Sequence, residues 1–310
     1  MSVYLGIDTS NYTTSVCLYN TADGSVISKR RLLPVRQGEL GLRQSDAVFH
    51  HVQQLPELFE QAFAGYQGDI KAIGVSATPR AVEGSYMPCF TVGVTAAKVI
   101  GESKHIPVYT FSHQQGHIAA ALYSIGRLDL IHEPHIAFHV SGGTTEALGV
   151  NMDGGFLSTR LIAKTLDLNA GQLIDRVGVM LGLQFPCGRE LEQLALSCDE
   201  PIKPKTTLKD MDCCLSGGEN MAKKLLSEGK SSAYIARFAI EFICRAIEKM
   251  SESIRAEYGD LPFVYAGGVM SDSIIRDRLT ATSDCLFSKP EFSSDNAAGI
   301  AVLASIKDTM

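Results

Sequence analysis

The chain has 310 residues, 45% of them hydrophobic and 20% charged, with 28 glycines and 11 prolines. That composition excludes disorder, collagen and disulfide miniproteins, and the length predicts two units of roughly 150 residues, each able to bury a core. A net charge of −6 excludes a protein that grips nucleic acid by bulk electrostatics alone, leaving a local basic groove or a basic partner as the means.

In chain order, Val3 to Ile7 is a short apolar run ending in Asp8-Thr9-Ser10, followed by a β-branched stretch from Thr14 to Tyr19, an Ala22-Asp23-Gly24 turn and a third strand, Ser25 to Ser28. Residues 45–64 carry apolar side chains at helical spacing, with Pro56 expected to interrupt them. Ile70 to Ser76 and Pro107 to Phe111 read as strands, with a helix through Thr91 to Gly101 between them. The opening pattern then recurs as His135 to Val140, the turn Ser141-Gly142-Gly143-Thr144-Thr145, Glu146 to Val150, an Asp153-Gly154-Gly155 turn and Phe156 to Arg160. Two copies of one strand meander imply an internal duplication. Helices follow at about Ala170 to Leu181, Arg189 to Ser197 and Tyr234 to Tyr258, with Asp199 to Asp212 a Pro/Lys-rich loop. Pro262 to Ala266 is a buried strand stopping at Gly267-Gly268, and Ile274 to Leu279 begins another helix.

This alternation predicts an α/β protein of two duplicated halves, each a mixed sheet flanked by helices, divided as 1–131 and 132–310. The last helix, 296–308, is expected to pack back on the first half, and the active cleft to lie between the halves. Eight cysteines at 17, 89, 187, 198, 213, 214, 244 and 285 show no C-x-x-C spacing, so they read as reduced, mostly buried thiols of a cytoplasmic protein. The start MSVYLGIDTS lacks a basic segment leading into a long apolar one, and no apolar run approaches membrane-spanning length.

Chemistry is sought at the glycine turns and the histidines. His113 and His117, four apart behind a plausible Ser112 cap, would share one helix face as half of a divalent-metal site, the alternative being ordinary surface or core histidines. A third, carboxylate ligand must come from elsewhere. Asp295 precedes an Ala-rich helix, where plain capping is the competing role. Asp8 ends the first strand beside two hydroxyls and would orient a water or ion. Ser141-Gly142-Gly143 stands at the equivalent place in the second copy, where small residues let backbone N–H groups approach phosphate or carbonyl oxygens. Gly267-Gly268 would let a base or ribose lie against the backbone, or would serve close helix-to-strand packing. No P-loop, G-x-G-x-x-G, G-x-S-x-G or H-E-x-x-H occurs.

Together these segments resemble the TsaD family of tRNA threonylcarbamoyl transferases, in the actin and sugar-kinase-like (ASKHA) ATPase superfamily, nearly end to end. The resemblance is carried by GIDTS at 6–10, HQQGH at 113–117, VSGG at 140–143, GQLIDR at 171–176, LGLQFPCG at 181–188, LSGGEN at 215–220, AGGV at 266–269 and SDNAAGIA from 294. It implies actin-like, ribonuclease H-like subdomains and transfer of threonylcarbamoyl from threonylcarbamoyl-AMP to the N6 amine of the adenosine beside the anticodon of tRNA. It further implies one divalent metal (Fe, Zn, Mn or Mg) on His113, His117 and Asp295, and an adenine nucleotide (ATP, AMP or the acyl-adenylate) on Ser141, Gly142, Gly143, Asp175, Gly188, Gly267, Gly268 and Asp272. Asp8, Ser141 and Thr144 would stand closest to the reaction. Implied partners are tRNA, TsaB-like and TsaE-like proteins and an adenylate-forming synthase, with a homo- or heterodimer and no membrane.

The chain departs from the family at several of these places. Tyr12-Thr13 replaces Asp-Glu, Thr144 a histidine, Gln172 a glutamate and Cys187 a glycine; AGPG reads Ala77-Thr78-Pro79-Arg80, a lysine falls near Glu219, and an asparagine falls at Asp272. The pattern is that of a divergent paralogue, whose alternatives are a non-tRNA acceptor or a non-catalytic subunit partnering an active homologue.

Overall fold

The computed structural model describes residues 2–10, 12–34, 42–66, 68–282, 285–292 and 297–310. The first part of the chain forms β1 (Val3–Thr9), β2 (Thr13–Asn20), β3 (Val26–Leu32), α1 (Gln44–Phe63), β4 (Ile70–Thr78), α2 (Phe90–Lys104), β5 (Val108–Ser112) and α3 (His113–Ser124). The second part forms β6 (His135–Val140), β7 (Thr145–Val150), β8 (Thr159–Lys164), α4 (Ala170–Met180), α5 (Gly188–Leu196), the two-residue strands β9 (Leu208–Lys209) and β10 (Asp212–Cys213), and α6 (Ser216–Ser227). It continues through α7 (Ser232–Tyr258), β11 (Phe263–Ala266), α8 (Ser273–Thr282) and β12 (Cys285–Phe287), and α9 (Ala297–Thr309) follows.

The duplication is explicit in the strand orders. One sheet runs β3-β2-β1-β4-β5 and the other β8-β7-β6-β11-β12. In each, the first three strands form an antiparallel meander and the last two join in parallel beside the first. The meander strands follow the β-branched runs and glycine turns of the sequence, whereas β4, the parallel neighbour of β1, lies between α2 and α9. Both sheets are therefore mixed and helix-flanked.

The chain divides into two compact units, Met1–Ile131 with Glu291–Met310, and His132–Pro290. In the first, α9 lies on β1 and β4 and beside α3. The contact is backbone-close: a Cβ at Gly6 would stand 2.7 Å from the Ala301 nitrogen, and one at Gly299 would stand 2.6 Å from the Ala120 nitrogen. In the second, the 27-residue α7 supplies Ile235, Phe238, Ile240, Ile243 and Ile247 to a core shared with α4, α5, α6 and α8. No helix among the described residues is long and apolar enough to cross a membrane, and all eight cysteines are free, six of them buried.

Two local expectations are corrected. Helix α1 continues through Pro56, because the proline is exposed and the carbonyl left without a donor belongs to Val52, which is itself 56% exposed and open to water. The third strand of the second meander starts at Thr159, not Phe156; a loop closed by Asn151 N donating to Ser158 O at 2.9 Å buries Leu157 completely instead. Helix α6 starts at Ser216, just before Gly217-Gly218. A Cβ at Gly218 would be 2.8 Å from Phe242 and 2.9 Å from Leu173, so packing rather than turn chemistry selects that glycine.

Candidate active site

In the first unit, α3 starts directly from β5. Ser112 is its cap: Ser112 Oγ accepts from Gln115 N at 3.2 Å and Gln115 Oε1 accepts from Ser112 N at 2.8 Å. One helical turn then brings the His113 and His117 rings to 4.6 Å between centroids. His113 Nδ1 donates to Asp8 Oδ2 at 2.8 Å; Ser76 Oγ donates to the same oxygen, and Ser10 N donates to Oδ1 at 2.9 Å. Complete burial raises the Asp8 pKa, but the charge of His113 and the hydrogen bonds from His113, Ser76 and Ser10 outweigh it and hold the carboxyl below its usual range. Asp8 thus fixes the His113 ring through Nδ1, as a carboxylate behind a metal-ligating histidine does. Two imidazoles one turn apart suit a borderline divalent cation. Asp295 lies outside the described residues, among which no group of three or more His, Cys, Asp or Glu forms a metal cluster.

Two buried supports of this cluster escaped the sequence reading. Ser76 lies near the end of β4, which pairs in parallel with β1, and a polar residue after the apolar run Ala72 to Val75 was the available signal. His51, on α1 and buried, donates from Nε2 to Ser10 O at 2.8 Å, fixing the turn that follows Asp8. Burial lowers its pKa.

In the second unit the end of β6, the end of β11 and the N-terminus of α4 converge. Ser141 N donates to Thr144 O at 2.7 Å, Gly171 N donates to Ser141 O at 3.1 Å, and Ala170 N donates to Thr145 Oγ1 at 2.9 Å. The 141–144 turn thus rests on the positive end of a helix. Packing demands only two of the local glycines. A Cβ at Gly171 would be 2.6 Å from the Gly142 nitrogen, and one at Gly267, whose φ is +103°, would be 2.8 Å from the Val140 carbonyl carbon. At Gly142, Gly143, Gly188 and Gly268 a Cβ would meet nothing within 4 Å. These four glycines border open space beside backbone amides, which fits close approach of a ligand. Asp175 lies near Gly188 because its Oδ1 accepts from Cys187 N at 2.9 Å.

The departing residues have structural partners of their own. Gln172 Oε1 accepts from Asn169 N at 3.1 Å and so caps α4. Glu219 joins Arg176 at 2.8 Å and Lys223 at 2.6 Å, and hydrogen bonds from Lys223 and Arg176 lower its pKa. Tyr12 is exposed. Asp272 caps α8, accepting from Ile275 N at 3.2 Å, while the neighbouring Glu192 accepts from Ser273 N at 2.8 Å. Burial, then the charge of Glu192, pushes the Asp272 pKa up to about 6. A carboxyl with a raised folded-state pKa contributes stability that is complete below about pH 4 and is lost as pH rises through about 6. Asp272→Asn keeps the cap and removes the buried charge. It is expected to stabilise the protein by roughly 1–2 kcal/mol at pH 7.5 and to leave stability at pH 4 unchanged, read by thermal unfolding at both values; an equal gain at both would refute the assignment.

A profile of the family described as TsaD, tRNA N6-adenosine threonylcarbamoyltransferase, matches residues 35–302. A tRNA N6-adenosine threonylcarbamoyltransferase of Thermus thermophilus is 31% identical over 97% of this chain and 91% of its own. A probable bifunctional tRNA threonylcarbamoyladenosine biosynthesis protein of Methanothermobacter thermautotrophicus is 29% identical over 97% of this chain. The chain spans 55% of that bifunctional relative's length. Among solved structures, component A of the Acidaminococcus fermentans (R)-2-hydroxyglutaryl-CoA dehydratase aligns over 100% of both chains with a TM-score of 0.58 and 15% identity, a likeness of fold alone. The likeness bears out the expected fold class of two duplicated mixed sheets, each flanked by helices.

Proposed function

The chain belongs to the TsaD family of tRNA N6-adenosine threonylcarbamoyltransferases, and on that premise we propose that it is a metal-dependent acyltransferase that moves threonylcarbamoyl from threonylcarbamoyl-AMP to the N6 amine of a tRNA adenosine. The observation that carries the reading is the set of open glycines, Gly142, Gly143, Gly188 and Gly268, beside the N-terminus of α4 and the Asp175 carboxylate. Asp175 and the backbone at Gly188 hold the adenosine, with Gly267, Gly268 and Asp272 along its other side. Ser141, the Gly142 and Gly143 amides and Thr144 face the acyl phosphate. As the amine attacks, the new C–N bond forms, the bond from the carbamoyl carbon to the phosphate oxygen breaks, AMP departs with that electron pair, and the proton shed by the nitrogen passes to solvent. N–H groups aimed at the carbonyl and phosphate oxygens stabilise the charge that develops there.

His113, His117 and Asp295 would hold one divalent ion, which when bound supplies positive charge against phosphate oxygens. Asp8 is a positioning residue in this scheme, since it touches His113 and no open surface. An exposed apolar groove of about 540 Å³ between α1 and α2, with Val52, Phe59 and Val99 on its walls, supports a protein partner. A TsaB-like homologue or a second copy would occupy it, while a TsaE-like protein and an adenylate-forming synthase act in the same cytoplasmic sequence. One observation favours a different acceptor: Glu219, tied to Arg176 and Lys223, stands near the place of a lysine in the family.

The test supplies the protein with threonylcarbamoyl-AMP and unmodified tRNA, with and without the partners, and follows AMP release and nucleoside mass. Modified adenosine is expected with wild type. His113→Ala should remove bound metal by elemental analysis. Gly268→Ala, whose Cβ meets no other segment within 4 Å, should weaken adenine-nucleotide binding about tenfold without lowering the unfolding temperature; unchanged affinity would refute the pocket. AMP release without modified RNA would establish the other acceptor.

A further inference from the structure

The residues Pro201–Thr207 form one wall of a cavity of about 660 Å³ in the second unit. Its floor is Tyr234, Phe238 and Phe242 of α7, with Met221 and Leu225 of α6, and its far rim is Ser216-Gly217 at the N-terminus of α6. Lys203 and Lys205 stand exposed on the wall, and neither has an ion-pair partner among the described residues. Lys230 adds a third ammonium, its Nζ 4.5 Å from the Tyr234 ring centroid. The wall is fastened from behind, because Lys249 Nζ donates to the Thr206 carbonyl.

Pro201–Pro204 also borders a second cavity, lined by Arg237, Arg245 and Arg278, but those guanidinium groups are committed to Glu241, Glu248 and Glu252. The uncommitted positive charge lies at the aromatic cavity, in a chain whose net charge is −6. Ammonium groups on the rim and flat apolar rings inside match a nucleic-acid strand with its phosphates outward and a base turned in. A volume of this size is that of a small-ligand site, enough for one nucleotide.

We propose that this cavity takes an unstacked nucleotide of the RNA acceptor, with flanking phosphates on Lys203, Lys205 and Lys230 and the base against Tyr234 and Met221. The proposal rests on the transferase reading above for its choice of RNA. It makes the local groove, rather than bulk charge, the RNA contact of this unit.

Fluorescence anisotropy with a labelled tRNA anticodon stem-loop, at several salt concentrations and on the full chain, tests it. The double variant Lys203→Glu/Lys205→Glu is expected to bind at least tenfold more weakly, with the slope of log affinity against log salt reduced by about two. Tyr234→Ala should weaken binding with the slope unchanged. Lys224→Glu, on the same helix α6 but paired with Glu228, should bind as wild type does, and adenine-nucleotide binding should be intact in all three. Equal RNA affinity in the double variant, an equal loss in Lys224→Glu, or wild-type binding of a poly-glutamate peptide in place of RNA would each overturn the proposal. The two readings separate cleanly. Modified adenosine from wild type, with RNA binding indifferent to Lys203 and Lys205, removes the groove and keeps the transferase; groove-dependent RNA binding without modified adenosine does the reverse.

Discussion

Replacing Gly267 with alanine is expected to lower the unfolding temperature by about 10 °C, while the same change at Gly268 leaves it within a degree or two. The backbone at Gly267 has φ +103° and ψ 160°, a region that an L side chain enters only at a cost of about 1–3 kcal/mol. The Cβ would also press on the Val140 carbonyl, 2.8 Å from its carbon. Backbone cannot swing aside as a long side chain can, so β6 and β11, paired in parallel at Ala266 and His139, would have to part at their ends. The total comes to about 3 kcal/mol or more. Gly268 has no such neighbour. Differential scanning fluorimetry on both variants decides the matter; equal behaviour of the pair would show that the turn relaxes at no cost.

Arg278→Ala should cost about 3 kcal/mol. Arg278 reaches from α8 to two glutamates of α7. Its Nε and Nη2 donate to Glu248 at 2.7 and 3.0 Å, and its Nη1 donates to Glu241. The glutamate side chains are only 5% and 7% exposed, so removing the guanidinium strands two buried carboxylates, with Arg237 and Arg245 left to pair them at 2.9 and 3.0 Å. The arginine itself is one-third exposed, which keeps the loss below that of a sealed ion pair. Arg278→Lys retains the charge but not the two-pronged geometry and should recover less than half. Urea unfolding of both variants, combined with Glu248→Gln in a double-mutant cycle, measures the coupling; additive effects would show that solvent replaces the guanidinium without penalty.

Much of the architecture was legible because it is written locally. Alternating β-branched residues and Asp-Gly or Gly-Gly turns mark both meanders, and Ser112 with Gln115 marks the start of α3. The histidine pair was legible for the same reason, since a spacing of four needs only a helix. What joins His113 to Asp8 spans 105 positions, and no local pattern pairs them with each other or with Ser76. Glycines were legible as turns but not as kinds of turn: Gly267 and Gly268 are neighbours in AGGV, yet one is demanded by a facing backbone and the other borders open space. Asp272 was legible as a carboxylate where the family has an asparagine, but not as one whose pKa is raised. The structure adds the cause, burial beside Glu192, which comes from the separate helix α5.

Helix α9 lies on β1 and β4, yet the chain reaches it only after His132–Pro290 is complete. During synthesis, the second unit can therefore close its core as soon as β12 is made, whereas the first waits with the sheet face of Tyr4, Gly6, Cys17 and Gly74 uncovered. The first unit can therefore complete its core only after the second has been translated. Until α9 docks, the first sheet is a client for whatever protects exposed apolar strands on nascent chains, and a ribosome that stalls before Ala297 leaves a finished second unit attached to an unfinished first.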